Sequence, residues 1–198
     1  SPSADRLLDL AETSIVDGRA GRPQHLPPLA DLPPELRTAR GAFVTLTVHG
    51  SLNGCIGTIE GAGPLGHEVV RLARAAAFDD VRFPALRTAD LSGLVIEVSI
   101  LSPFEPIGAR SLQELVRALR PGTDGLLVGA LIHELLLIAA GAHRAVFLPD
   151  VWEQLPDPSE FVDHLYRKAG LEPGSWPAGM GAHRFTTERF ERPFRPRA

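Results

Sequence analysis

The sequence predicts an α+β protein whose sheet is mainly antiparallel and flanked by helices. Strand and helix patterns are interleaved without the regular β-α-β-α order of a parallel sheet. Two strand patterns within residues 42–60 are separated by Gly50-Ser51, a pair suited to a tight hairpin turn. The length of 198 residues and the hydrophobic fraction of 44% fit one domain, or one body with two lobes, around a core that needs no disulfide.

The chain begins with a predicted helix and a proline-rich connector. Apolar residues recur at helical spacing over residues 4–17, with Ser3 as a capping residue and Gly18 directly after the helix. Residues 21–41 are rich in proline, which fixes the backbone and removes amide donors. This segment is therefore predicted to be an extended connector or a linker.

Further helices and strands follow from the same kinds of pattern. Each later helix opens with a residue suited to its first turn: Pro64 for 64–78, Ser111 with Glu114 for 111–120, and Asp157 with Pro158 for 157–170. Short apolar runs predict strands at 93–101, 125–132, 135–140, 144–149 and 183–190. Residues 191–198 form a tail rich in proline and arginine.

The hairpin predicts which face of the sheet Cys55 occupies. With Gly50-Ser51 as the loop, Leu46 pairs with Cys55, and paired residues point to the same face. Cys55 and Asn53 then share a face with the apolar residues Val44, Leu46 and Val48. If that face is the core, Cys55 is buried and inert. A bulge at Gly54 would shift the register and turn Cys55 outward.

A functional interpretation of the same stretch starts from the glycines beside Cys55. Glycine inside a strand marks a bulge or a close approach by backbone or ligand. Exposed amides near Gly54 and Gly57 would bind an anion or a developing oxyanion, and they would favour the thiolate. A thiol nucleophile also needs a base. No histidine stands at a recognised spacing from Cys55. His49 lies on the opposite face in this register, which leaves His67, in the first turn of the following helix, as the candidate.

A second polar cluster lies in the segment FDDVRFPAL, residues 78–86. Asp80 and Arg82 are predicted either to form an ion pair that clamps the loop or to leave Arg82 available to hold a carboxylate or phosphate. The helix before this segment begins shortly after the cysteine strand. Both segments are therefore expected to border one cleft.

Composition narrows the function classes. A net charge of −4, from 20 basic and 24 acidic side chains, argues against broad nucleic-acid binding through phosphate neutralisation. A single cysteine excludes an internal disulfide and a C-x-x-C zinc pair, which favours a reducing, cytoplasmic setting. The first residues lack a signal-peptide pattern. The apolar stretch 125–142 is interrupted by His133 and Glu134 and predicts buried strands rather than a membrane span.

No established cofactor or metal motif is found in the sequence. His133-Glu134 lacks the second histidine of a zinc-binding H-E-x-x-H motif, because position 137 is leucine. P-loop, G-x-S-x-G and dinucleotide-binding patterns do not occur. The sequence therefore indicates no particular cofactor.

Several segments resemble the AMMECR family in family order, over roughly residues 40–190. LNGCIGT resembles the family signature L-R-G-C-I-G, and DDVRFPAL resembles its D-x-R-F-x-P-L segment. LVIEVSILSPFEPI and AVFLPDVWEQLPDPSEFVDHLYRKAGL are similar to two further family segments. The resemblance implies a compact α+β body with a larger and a smaller lobe, in a cytosolic setting. It also implies a pathway shared with Memo-type and radical-SAM proteins, while the family's molecular activity is not settled.

The sequence departs from the family pattern at three places. Asn53 stands where the family has arginine, which removes a planar cation. Asp150 stands where the family has glutamine, and the stretch 126–143 is longer than usual, which predicts a local insertion. If the family arginine holds an anion, the change at Asn53 predicts a different or weaker ligand.

Two hypotheses of function follow. In the first, the protein is an enzyme or enzyme accessory with a cleft for a small molecule or anion, and Cys55 is the catalytic residue. Its ligand-binding residues would then be Asn53, Gly54, Ile56, Gly57, Asp80 and Arg82. In the second, the protein is an interaction module without chemistry, whose cysteine hairpin is structural.

Overall fold

The computed structural model describes residues 2–130 and 144–195. Contacts divide the chain into two compact units. The first consists of Ser1–Leu101 with Glu188–Ala198, and the second of Ser102–Thr187. Each unit combines helices with a four-stranded sheet, and the strand pairings β1–β2, β1–β3, β4–β7, β5–β6 and β5–β7 are antiparallel. The predicted α+β class is confirmed.

The elements follow one another in a mixed order. The helices are α1 (Pro2–Arg19), α2 (Leu65–Phe78), α3 (Leu112–Ala118) and α4 (Pro158–Lys168). The strands are β1 (Ala42–Val48), β2 (Ser51–Thr58), β3 (Leu94–Leu101), β4 (Glu105–Pro106), β5 (Gly125–Ala130), β6 (Arg144–Phe147), β7 (Met180–Phe185) and β8 (Thr187–Pro193).

The sheet of the first unit has the strand order β2-β1-β3-β8 and is covered on one face by α1 and α2. That face carries fully buried side chains at alternate positions of the two central strands: Val44, Leu46, Ile96 and Val98. They pack against the apolar stripe of α2, which includes Val69 and Ala73. The alternation in the sequence therefore correctly identified the core face of β1.

The first helix is longer than predicted, and its expected boundary residues lie inside it. The Ser3 hydroxyl donates to the carboxylate of Glu35 instead of capping the helix. Gly18 remains helical, and its missing side chain leaves room for the ring of Phe78. The connector is anchored rather than free, because two of its leucines are buried in the core: Leu32, and Leu36 at the end of a short 3₁₀ turn at Pro34–Leu36.

The second unit contains a sheet of order β4-β7-β5-β6 and a separate core. Trp152 and Phe161 stack with ring centroids 3.8 Å apart. The predicted cap residues of α3 and α4 are confirmed, since Ser111 Oγ accepts from the Glu114 amide and Asp157 accepts from two amides of its helix. The reciprocal bond predicted from the Ser111 amide to Glu114 is wrong, because the Glu114 carboxylate accepts from the Arg110 amide instead. The segment predicted as one strand at 183–190 forms parts of two, β7 and β8.

Some sequence-based expectations fall outside the described residues. These are the strand at 135–140, part of the strand at 125–132, the residues His133, Glu134 and His143, and most of the stretch 126–143 with its predicted insertion. Within the described residues, the helices are too short or too polar to cross a membrane.

Tyr166, the single tyrosine of the chain, gives a direct test of the second core. Its side chain is fully buried, and its hydroxyl has no hydrogen-bond partner among the described residues. Burial, followed by the charge of Asp163, raises the pKa of Tyr166 to about 12. In the unfolded chain a tyrosine titrates near pH 10.

We expect tyrosinate absorbance of the native protein to appear only well above pH 10. Because the unfolded state loses this proton first, the free energy of unfolding should be constant below about pH 10 and fall between there and pH 12. The denatured protein, titrated in parallel, serves as the control. A native titration that coincides with the denatured one would show that the hydroxyl is not buried.

Candidate functional site

The β1–β2 hairpin turns at His49-Gly50, one residue earlier than predicted. Val48 pairs with Ser51, and both loop residues have positive φ, 50° at His49 and 80° at Gly50. Two consecutive left-handed residues are typical of the type I′ turn, whose twist suits antiparallel strands. The expected Gly50-Ser51 loop is therefore wrong.

A bulge at Asn53 then shifts the register of the hairpin. Thr47 pairs with Leu52 but Leu46 pairs with Gly54, so Asn53 has no partner on β1. The predicted pair of Leu46 with Cys55 is wrong, since Cys55 pairs with Thr45. The bulge lies one residue before the position considered from the sequence, and it turns Cys55 away from the face covered by the helices.

Both glycines beside Cys55 have packing roles. A Cβ at Gly54 would lie 2.0 Å from the backbone oxygen of Ala76, so only glycine lets α2 approach β2 this closely. A Cβ at Gly57 would lie 2.2 Å from the ring of Phe43, which packs across the neighbouring strand. The close approach expected from the glycines is thus made by the protein itself.

Cys55 lies in a polar row that crosses three strands. Its side chain is half-buried, and Thr45 Oγ1 donates to Cys55 Sγ at 3.4 Å. Thr45 also pairs with Glu97 on β3, which places all three side chains on one face. Glu97 accepts from Ser99 Oγ at 3.1 Å and forms an ion pair of 3.7 Å with Arg189 of β8.

Sequence reasoning missed the partners of Cys55 in this row. The polar residues Glu97 and Ser99 are two positions apart in the otherwise apolar strand β3. That spacing puts both side chains on one face of the strand, and it is the sequence signal from which a polar face of β3 could have been predicted. Their neighbourhood with Cys55 could not be deduced, because it depends on the bulge at Asn53.

Asp80 and Arg82 hold the main chain of Cys55 from outside the sheet. Asp80 Oδ2 accepts from the Cys55 amide at 2.9 Å, and Arg82 Nη2 donates to the Cys55 carbonyl at 2.8 Å. The two side chains also bind each other in a fork, with Arg82 Nε and Nη2 at 2.9 and 2.7 Å from the carboxylate. We call this four-bond arrangement the Asp80–Arg82 clamp. It brings together the two segments that are predicted to border one cleft.

The clamp determines the electrostatics next to Cys55. The side chain of Asp80 is 3% exposed, whereas that of Arg82 is 58% exposed. Hydrogen bonds from Arg82, and then from the Cys55 amide, hold the pKa of the Asp80 carboxyl well below its usual range. The carboxylate is therefore charged at neutral pH and keeps the guanidinium in place.

The clamp leaves few groups near Cys55 available to contact a ligand. The Cys55 amide donates to Asp80, so it is engaged before any anion binds. Among the described residues Nη1 of Arg82 has no acceptor, which leaves its two N–H donors for a ligand. No histidine of the described chain bonds to the thiol, and His67 contacts the Pro27 carbonyl through Nε2 at 2.7 Å.

The predicted ligand-binding residues come together around the bulge. Gly54 is buried, and Asn53, Ile56 and Gly57 are half-buried on the same strand as Cys55. The Asn53 Nδ2 atom is buried and lacks a hydrogen-bond partner among the described residues. In the described part of the chain, no cluster of His, Cys, Asp and Glu side chains is arranged to hold a metal ion.

Comparison with known proteins identifies the relatives of this chain. The sequence model of the AMMECR1 family matches residues 8–190. A protein of Thermococcus onnurineus is 37% identical over 93% of this chain and 88% of its own length. A protein of Thermofilum pendens is 35% identical over 82% and 78%. The crystal structure of an uncharacterised protein from Pyrococcus horikoshii superposes with a TM-score of 0.80, at 32% identity, over 98% of this chain and 93% of that one.

The contact between Gly54 and α2 predicts a large cost for adding a methyl group. Gly54→Ala places a Cβ against the Ala76 backbone, which cannot move without displacing the helix. We expect a loss of about 2 kcal/mol or more in the free energy of unfolding, measured by urea denaturation. Gly63→Ala is the matched control, since a Cβ there meets only a carboxylate oxygen of Glu68 at 3.8 Å. Similar losses in both variants would contradict the packing role.

The Asp80–Arg82 clamp predicts a pH-dependent contribution to stability. Asp80→Asn should lower the thermal unfolding midpoint at neutral pH more than Asp90→Asn, whose more exposed ion pair with Arg87 is the matched control. The pKa of Asp80 is depressed in the folded state, so its contribution is present above about pH 4 and is lost as the pH falls further.

The measurement is the difference between wild type and Asp80→Asn across the acid range. This difference should be largest near neutral pH and shrink below about pH 4. A difference that stays constant into strong acid would show that the charge of Asp80 does not stabilise the fold.

Proposed function

This chain belongs to the AMMECR1 family, and on that premise we propose that it binds a small anionic molecule beside Cys55, as an enzyme or enzyme accessory. The observation that carries the proposal is the bulge at Asn53, which turns the thiol to the polar face of the sheet. A cysteine serving only as a small core residue would have been expected among Val44, Leu46 and Val48.

The proposed roles follow from the contacts of each group. Cys55 Sγ is the reactive or ligand-contacting atom, and Thr45 orients it through the hydroxyl that donates to sulfur. Arg82 supplies the cationic contact through Nη1, while its fork on Asp80 fixes the guanidinium beside the Cys55 carbonyl. Glu97, across Thr45 from Cys55, is the proposed carboxylate for proton transfer.

The bulge also gives Asn53 a place in the proposal. Its buried, unpartnered Nδ2 offers a hydrogen-bond donor near Cys55. A neutral amide contributes no charge, so we propose that the anion bound here depends on Arg82 for its electrostatic attraction. In this proposal Asn53 favours a ligand that has a hydrogen-bond acceptor. The main chain of Gly54, Ile56 and Gly57 forms the surface on which that ligand lies.

The test compares two alkylating agents of similar size, the anionic iodoacetate and the neutral iodoacetamide. Cys55 is the only cysteine, so all labelling reports on this thiol. We expect the native protein to react with iodoacetate, relative to iodoacetamide, about threefold faster than a free thiol does, as one nearby surface cation would produce. Arg82→Gln should abolish that preference, and Arg87→Gln, which removes another ion-paired arginine, should retain it.

Two results would overturn the proposal. A thiol that stays unreactive until the protein is denatured would remove Cys55 as a reactive group. A preference for the anion that is unchanged in Arg82→Gln would remove the anion site. Independently of the labelling results, mass spectrometry of a denatured extract would identify any molecule that copurifies with the wild-type protein.

A second function, an interaction module without chemistry, is favoured by a different observation. Val81, between the two residues of the clamp, is 98% exposed, and both signature glycines are accounted for by packing. The partners proposed for this module are the Memo-type and radical-SAM proteins. Retention of the wild type on immobilised partners, with loss in Val81→Asp but not in Thr88→Asp at another exposed position, would support it.

A further inference from the structure

A groove in the second unit is lined entirely by residues of that unit. It has a volume of about 390 Å³ and is bounded by α3, α4 and the turn that follows α4. Leu112 and Val116 give it an apolar wall, Arg117 and Asp163 contribute opposite charges, and Pro173 and Gly174 form one end. This volume lies within the range of small-molecule sites.

The walls of the groove are held in place independently of any ligand. Helix α3 is capped by Ser111 and anchored by the buried Leu115. Helix α4 is anchored by Phe161, which stacks on Trp152. The third wall is a turn closed by the Ser175 amide on the Glu172 carbonyl at 3.1 Å. Its proline and its glycine at φ +83° are typical of a type II turn. A site with fixed walls loses little entropy on binding.

The charged groups of the groove are Arg117, which is exposed, and Asp163, which is half-buried. Across residues 2–130 and 144–195, the side chains of Arg117 and Asp163 make no hydrogen bond or ion pair. They project from different helices, so one ligand between the helices can reach both. Asp163 would repel a phosphate or a dicarboxylate, and Arg117 would repel a simple cation. A molecule that carries both charges satisfies both groups.

We propose that this groove binds a small zwitterion with an apolar side chain, of the size and class of a dipeptide. Its ammonium group lies against the carboxylate of Asp163, and its carboxylate accepts from the guanidinium of Arg117. Its apolar side chain packs on Leu112 and Val116. The proposal concerns the second unit alone and does not depend on Cys55.

The experiment titrates the full-length, ¹⁵N-labelled protein with glycyl-L-leucine and follows backbone amide shifts by NMR. We expect saturable shifts confined to α3, the first turns of α4 and residues 172–175, with a dissociation constant on the order of 1 mM. N-acetylglycyl-L-leucine lacks the ammonium group, and glycyl-L-leucinamide lacks the carboxylate. Each blocked peptide should bind about tenfold more weakly.

The charge-removing variants assign each end of the ligand. Arg117→Gln should lower the affinity for glycyl-L-leucine about tenfold, so that this variant binds glycyl-L-leucine and glycyl-L-leucinamide equally well. Asp163→Asn should likewise lower the affinity about tenfold, so that it binds glycyl-L-leucine and N-acetylglycyl-L-leucine equally well. Arg167→Gln and Glu160→Gln change exposed charges of α4 outside the groove and should bind like the wild type.

Several outcomes would overturn the proposal. Equal binding of all three peptides would show that the charges do not recognise the ligand. Shifts outside the groove, or shifts that do not saturate, would show that no site exists here. Because the three peptides are compared on the wild-type protein, these outcomes do not depend on whether a variant folds.

Discussion

The close approach of α2 to β2 is the constraint on which the first unit depends. The backbone of Ala76 lies where a Cβ of residue 54 would be, so the helix and the strand meet without side chains between them. Strand β2 is at the edge of its sheet, and its outer amide and carbonyl at Cys55 need partners. The segment that leaves α2 supplies them through Asp80 and Arg82. Helix, strand and loop therefore position one another.

In this arrangement the atoms that stabilise the fold differ from the neighbouring atoms that are proposed to contact a ligand. The carboxylate of Asp80 and the fork of Arg82 stabilise the fold, while the Cys55 thiol and Nη1 of Arg82 are the groups proposed to contact a ligand. A ligand that recruited the whole guanidinium would have to displace Asp80 and leave a buried carboxylate without its cation. The structure thus favours a ligand that adds to the clamp over one that replaces it.

The fold class, most helix boundaries and the alternation of β1 could be predicted because each depends on local spacing and caps. The pairing of Asp80 with Arg82 and their position near Cys55 were also accessible, from residue types and chain order. The face of Cys55 was not, since a bulge of one residue at Asn53 reverses it and turn chemistry alone did not reveal the bulge. The residues Glu97 and Arg189 join the thiol through sheet pairings distant in sequence, which no local pattern encodes.

The last strand, β8, belongs to the first sheet although the whole second unit separates it from β3 in the sequence. Arg192 of β8 is tied to Asp9 and to the buried Glu12 of α1, so the two ends of the first unit meet in one ion-paired cluster. During synthesis on the ribosome, one edge of β3 stays unpaired until the second unit and then β8 have been translated. Over the same period Glu12 lacks its ion-pair partner Arg192. The order of translation thus makes completion of the first unit a late event, after its own helices and hairpin are available to fold.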